Sequence, residues 1–171
     1  MFIIAKHNQL SLRHFIALFI FLFSFSAKAQ TITLPEGEFM DTTTVADTSC
    51  PGVLPYYYSV GGKYSKNSAS LLKDVHAYLA MRKNEYAGNG YITFRFPVNC
   101  HGRLVKNVQV MQTDEKYRSY SFSPKFVKDL YNFILSMDKW KPGKSHQGTP
   151  LSYMAYISFK IEDGKVVQII P

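Results

Sequence analysis

Two cysteines, five histidines and a single tryptophan are the residues of this 171-residue chain best suited to chemistry. Cys100 and His101 are adjacent, a thiol beside an imidazole, and such a pair can make an activated nucleophile. Neighbours on a turn rarely point at each other, however, and no third group that would orient the histidine is evident. His76, His101, His146, Asp114 and Glu115 fall at no spacing that acid–base chemistry needs. Cys50 and Cys100 form no CxxC, and no HxxxH is present, so no metal site and no cofactor is expected. Gly61-Gly62-Lys63 lacks the remainder of a phosphate-binding loop. An enzyme is therefore the least supported reading. It would regain support from a pocket joining Cys100, His101 and a carboxylate of shifted pKa.

The two cysteines have a simpler use. The chain opens with a basic segment (Lys6, Arg13), an apolar run from Phe15 to Phe25 broken only by Ser24, and Ala27-Lys28-Ala29. That is the layout of a cleaved secretory leader over residues 1–29, with Gln30 as the mature N-terminus. As a helix the apolar run spans about 16 Å, against about 30 Å of bilayer hydrocarbon. No cysteine follows the cleavage site, so a lipoprotein is not expected. In an oxidising compartment two thiols suggest a Cys50–Cys100 disulfide, tying an arm to the turn between two strands. Cleavage removes three of the 20 basic residues and none of the 12 acidic ones, leaving a mature charge of +5. Residues 30–66 carry −2 and residues 67–171 carry +7, which suits an acidic protein segment or anionic lipid. Nucleic acid is not an expected partner of an exported chain.

The elements that must position these residues lie mainly in residues 67–171. Residues 30–49, rich in Thr, Glu and Asp, read as an extended arm. Cys50 to Lys66, with Pro51, Gly52, Pro55, Gly61 and Gly62, reads as an irregular loop whose Tyr56-Tyr57-Tyr58 should lie partly on the domain. Leu71, Leu72, Val75, Tyr78 and Leu79 predict a helix over Ser68–Lys83, capped by Ser68 or Ser70. Ile92, Phe94, Phe96 and Val98 alternate with Tyr91, Thr93 and Arg95 in a strand whose Pro97 places it at an edge or ends it at a bulge. After the turn Asn99 to Gly102, a second strand is predicted over Arg103–Gln112, with an irregularity near Lys106. A loop over Thr113–Phe122 precedes a helix opened by Ser123-Pro124, kept in helical spacing to Met137 and terminated by Pro142-Gly143. Trp140 is expected to be a core anchor rather than a ligand platform. Tyr153, Ala155, Ile157, Phe159 and Ile161 share one face of a last strand over Leu151–Glu162. Asp163-Gly164 is a two-residue hairpin turn. Beyond it, residues 165–170 either return as an extra strand or hang free.

That order of elements, with Phe94-x-Phe96-x-Val98 before Gly102-Arg103-Leu104, then Trp140, Pro142, Gly143, Gly148, Pro150 and an aromatic-rich closing strand, resembles the C-terminal domain of TonB, the periplasmic energy transducer of Gram-negative envelopes. The resemblance covers roughly residues 68–162. It implies an α+β two-layer sandwich, two helices on a three-stranded antiparallel sheet in the order helix-strand-strand-helix-strand. It also implies a periplasmic domain that binds an extended peptide by adding it to a sheet edge. On that reading the last strand is the candidate edge, with Tyr153, Tyr156, Ser158 and Lys160 as contacts. The partner would be an outer-membrane TonB-dependent receptor or an inner-membrane motor complex. The chain departs from TonB in having no long Pro-rich spacer, since Gln30 to Ser49 reaches only about 70 Å fully extended. The His and Ser that couple the transducer's anchor to its motor are also missing from the apolar run. A free-standing binding module is the first expectation. The second is a structural, accessory envelope subunit forming homo- or hetero-complexes with no direct role in transport.

Overall fold

The computed structural model describes residues 37–40, 49–50 and 54–170. The leader expected over residues 1–29 and most of the arm lie outside the described residues.

Helix α1 spans Ser68–Arg82. Its cap is Asn67, not Ser68 or Ser70 as expected: Asn67 Oδ1 accepts from Ser70 N–H at 2.9 Å. Lys83 closes the helix in the left-handed conformation at φ 52°. Helix α2 spans Pro124–Leu135, with Ser123 Oγ accepting from Phe126 N–H and Pro124 at the first helical position, as the Ser-Pro pair predicted. It ends earlier than expected. Ser136 is its C-cap, and Pro142-Gly143 lies well beyond it in extended backbone. The apolar period continues to Met137 because Met137 packs on the core from outside the helix. The segment that follows α1 is tied to the middle of α2 through Asp129, a buried carboxylate that accepts from Asn84 Nδ2 at 2.9 Å and from the Tyr86 hydroxyl at 2.8 Å.

Both helices cover one face of an antiparallel sheet, so the α+β sandwich stands. The sheet has five strands, not three. They are β1 (Glu38–Phe39), β3 (Gly90–Val98), β4 (Gln109–Thr113), β8 (Tyr153–Glu162) and β9 (Lys165–Ile170), in the order β1-β4-β3-β8-β9. Two residues of the segment expected to be an extended arm are thus a strand of this sheet, Glu38 opposite Val110 and Phe39 opposite Gln109. Two small ribbons flank the sheet: β2 (Lys63–Tyr64) with β5 (Trp140–Lys141), and β6 (Gly143–Lys144) with β7 (Pro150–Leu151).

Strand β3 is central, not an edge. Pro97 is tolerated because Val105, which faces it on the side away from β8, donates to Pro97 O at 2.9 Å while its own carbonyl accepts from Asn107 N–H at 2.8 Å, so the missing Pro97 N–H leaves no acceptor unpaired. The second strand is shorter than expected, its regular pairing starting only at Gln109. Before it, residues 103–105 hold a single antiparallel bridge, Leu104 opposite Val98, flanked by Asn99 N–H to Arg103 O and Val105 N–H to Pro97 O, both 2.9 Å. The inner faces of β3, β8 and β9 supply Ile92, Phe94, Phe96, Ala155, Ile157, Phe159, Val166 and Ile169 to the core, which α1 meets with Leu71 and Val75 and α2 with Phe126, Leu130 and Ile134. Asp163 (φ 47°) and Gly164 (φ 71°) make the tight turn into β9. A Cβ on Gly164 would lie 2.0 Å from Tyr86 O, so this corner accepts only glycine. Among the described residues no helix is long and apolar enough to cross a membrane.

Candidate functional site

The last strand was expected to be the open edge, and β9 corrects that. Ser158 to Glu162 of β8 pair with Lys165 to Ile170, with one irregularity after Lys160. Further back, Met154 N–H donates to Pro55 O at 2.8 Å, in a parallel bridge between Met154 and Tyr56. Tyr156 alone lies between those two sets of partners on the outer side of β8. Among the described residues the edge of the sheet is therefore the outer side of β9. Its register puts the backbone groups of Gln168 and Ile170 against β8 and turns those of Ile169 outward. At its start, Val166 O accepts from His76 Nε2 on α1 at 2.6 Å, which requires the proton on Nε2. His76, assigned no role from sequence, is thus a clamp between α1 and the edge strand. Val167 is 37% and Ile170 43% exposed. The opposite edge is blunted, because β1 covers part of β4 and Tyr120 N–H donates to Gln112 O at 3.2 Å.

The four residues proposed as peptide contacts do not share a surface. Tyr153 points into the core, fully buried, its hydroxyl donating to Lys141 O at 2.9 Å. Alternation settles this: Tyr153 shares parity with Ile157 and Phe159, not with Tyr156. The other three lie on the open face. There Ser158 Oγ meets Thr93 Oγ1 at 2.8 Å and Lys160 Nζ bonds Glu162 at 2.7 Å. Tyr156 sits in an aromatic file that sequence reasoning missed, stacked on Tyr56 at 6.1 Å between ring centroids, with Tyr56 stacked on Tyr58 at 5.6 Å and the Arg95 guanidinium 5.8 Å from the Tyr156 ring. The loop of three tyrosines does lie on the domain.

The structural residues form the two ribbons. Trp140 is buried, 5.2 Å edge-to-face from Phe96 and 4.9 Å from Tyr64. Gly143 is held against Val60, and Gly148 takes φ 82° in the turn from Ser145 to Thr149, which returns the chain to Pro150. Pro142 joins β5 to β6.

Cys50 and Cys100 are joined in a disulfide, their Cα atoms 5.6 Å apart. His101 is beside them, Nε2 3.2 Å from Ser49 Oγ, and the three potential donors Cys50, Cys100 and His101 lie within 4.8 Å of one another. Sulfurs shared in a disulfide are not thiolates, so in this state the cluster offers neither nucleophile nor thiolate ligand. Asp114 is committed to its own turn. Its carboxyl is held below the usual range first by the Arg118 backbone N–H and then by the Arg118 guanidinium. His76, His101 and His146 stand on α1, on the β3–β4 turn and on the β6–β7 turn, three separate elements.

Five tyrosines hold their protons more tightly than a free phenol. Burial is the main cause for Tyr153, Tyr156, Tyr64 and Tyr86, and the hydrogen bond with Tyr117 is the main cause for Tyr91. In the unfolded chain they ionise near pH ~10. Stability from these groups is therefore intact below that pH and is lost as pH rises through the higher folded values. Urea denaturation at a series of pH values from about 9 to 12 is expected to show a steep alkaline loss. Tyr153→Phe, which removes the most buried of these phenols, is expected to make that loss shallower. A stability flat over this range would contradict the assignment.

Comparison with protein-family models, with curated proteins and with solved structures gives no match for this chain.

Proposed function

We propose that the chain is an exported, periplasmic binding module of the TonB C-terminal type, which takes up an extended peptide by strand addition. The observation that carries this reading is the outer edge of β9, a six-residue strand that pairs with no further strand among the described residues, with outward backbone groups at Ile169 and exposed apolar side chains at Val167 and Ile170. The edge differs from the one the resemblance first suggested, because β9 has taken the outer side of β8. The disulfide supports an oxidising compartment. The +7 charge of residues 67–171 favours an acidic segment, of the kind an outer-membrane TonB-dependent receptor or an inner-membrane motor complex would present.

A second reading uses the same edge. Two copies of β9 can pair with each other through Val167 and Ile170, which makes the chain an accessory subunit that forms homo-oligomers. In-cell crosslinking of the tagged mature chain, residues 30–171, followed by mass spectrometry separates the two. Enrichment of outer-membrane receptors or of the motor is expected for the transport-linked module. Self-crosslinks alone would favour the accessory subunit, and capture of unrelated envelope proteins would remove the transport reading.

A further inference from the structure

A cavity of about 260 Å³ opens where β8 is unpaired, between the tyrosine loop, the N-terminus of α1 and the β2–β5 ribbon. Its walls are Tyr57, Tyr64, Trp140 and the Ala155-Tyr156 segment, and its rim is Lys63, Lys66, Asn67 and Ser68. Gly62 forms part of the wall and must be glycine, because a Cβ there would sit 2.6 Å from the Tyr153 ring. The space equals about nine water-sized volumes, below the range of drug-sized sites.

We infer that this cavity binds a small amphiphilic anion, an apolar body of a few carbons against the aromatic walls and an acidic head at the Lys63 rim. Three features converge on that chemistry. First, Trp140 is only 8% exposed, yet its indole Nε1–H is buried with no hydrogen-bond acceptor. A buried donor left without an acceptor is destabilising, and a ligand oxygen reaching the indole from the cavity that Trp140 lines would relieve it. Second, Lys63 lies directly opposite Lys141 in the β2–β5 register, both are exposed, and neither has an ion pair among the described residues. Like charges in that position repel, and an anion held at Lys63, the one of the two that lines the cavity, eases that repulsion. Third, α1 is long enough to carry a positive N-terminal end. Asn67 caps only the Ser70 N–H, so the N–H of Ser68 at the rim, like that of Ala69 next to it in the chain, has no partner within the helix.

The acidic groups nearby limit the site without cancelling it. Lys66 Nζ is already 2.6 Å from Asp74, and the Asp138 charge adds to burial in raising the Tyr64 phenol. Lys63 is therefore the cation available to a ligand. The inference does not depend on strand addition at β9.

Trp140 is the only tryptophan in the chain, so its fluorescence and its single indole N–H resonance report this cavity alone. Hexanoate, hexan-1-ol and acetate are the probes, titrated into the purified protein. Hexanoate is expected to give a saturable change in emission and a downfield shift of the indole proton. Hexan-1-ol, lacking the charge, and acetate, lacking the body, are expected to bind at least tenfold more weakly. Lys63→Glu is expected to weaken hexanoate at least fivefold with an unchanged circular dichroism spectrum. No saturable response to hexanoate, binding of hexan-1-ol as tight as hexanoate, or full hexanoate affinity in Lys63→Glu would each overturn the inference. The probe comparison on the unmodified protein stands even if the variant misfolds.

Discussion

Ending the chain after Gly164 is expected to lower stability by roughly 3–6 kcal/mol and to leave a domain that captures strands. Val166 and Ile169 are almost fully buried, and each such aliphatic contributes about 1.5–3 kcal/mol on burial. Their loss also strips the outer side of β8 from Ser158 to Glu162, because the backbone groups now paired with β9 would meet only water. A bare, alternating, apolar-backed edge recruits whatever extended chain is near. The truncated protein should therefore associate with itself at concentrations where the full chain does not. A synthetic peptide of residues 165–171 added in trans should restore the urea midpoint in a concentration-dependent way. A truncated protein as stable as the full chain would mean that β9 is an accessory of the sheet and not part of it. Failure of the peptide to restore a folded truncated protein would deny that this sheet accepts strands from outside.

Replacing both cysteines by serine is expected to cost about 4 kcal/mol. The two residues are separated by 50 positions, and the chain-entropy relation assigns about that value to closing such a loop in the unfolded state. The bridge also fixes Cys50, and with it the tyrosine loop that follows, against the β3–β4 turn. For a chain of this size the shift in melting temperature is roughly 10–20 °C. Reductant added to the unmodified protein should reproduce it, which separates the loss of the bond from the loss of the buried Cys100 side chain. A drop below about 1 kcal/mol would show that the bridge constrains little.

The parts of the fold that were legible in the sequence are those set by local chemistry. Ser123-Pro124 wrote the start of α2 because a cap and a fixed φ are properties of two adjacent residues. Asp163-Gly164 wrote the last hairpin because both positions need positive φ. The alternation of Ile92, Phe94 and Phe96 marked the inner face of β3, but a period of two is the same in a central strand as in an edge strand. Position within the sheet was therefore left open for both β3 and β8, since it depends on which segments return from a distance. The arm at Glu38–Phe39 and the tail at Lys165–Ile170 supplied the outer strands that local pattern left open. Tyr153 could have been placed inward from parity with Ile157. The cavity by Trp140 was not legible, because its walls come from the tyrosine loop, the start of α1, β5 and β8. The exposed ends of the tyrosine file were hidden for the same reason.

The most direct test of the strand-addition reading places a photo-crosslinking benzoylphenylalanine at Val167 on the β9 edge, and separately at Tyr120 beside the blunted β4 edge, in the protein expressed in its own envelope. Strand addition at β9 is expected to give a discrete crosslink from position 167 to an extended segment of one partner protein, with little from position 120. Equal capture from both positions, or none from 167 while the protein remains folded, would contradict it.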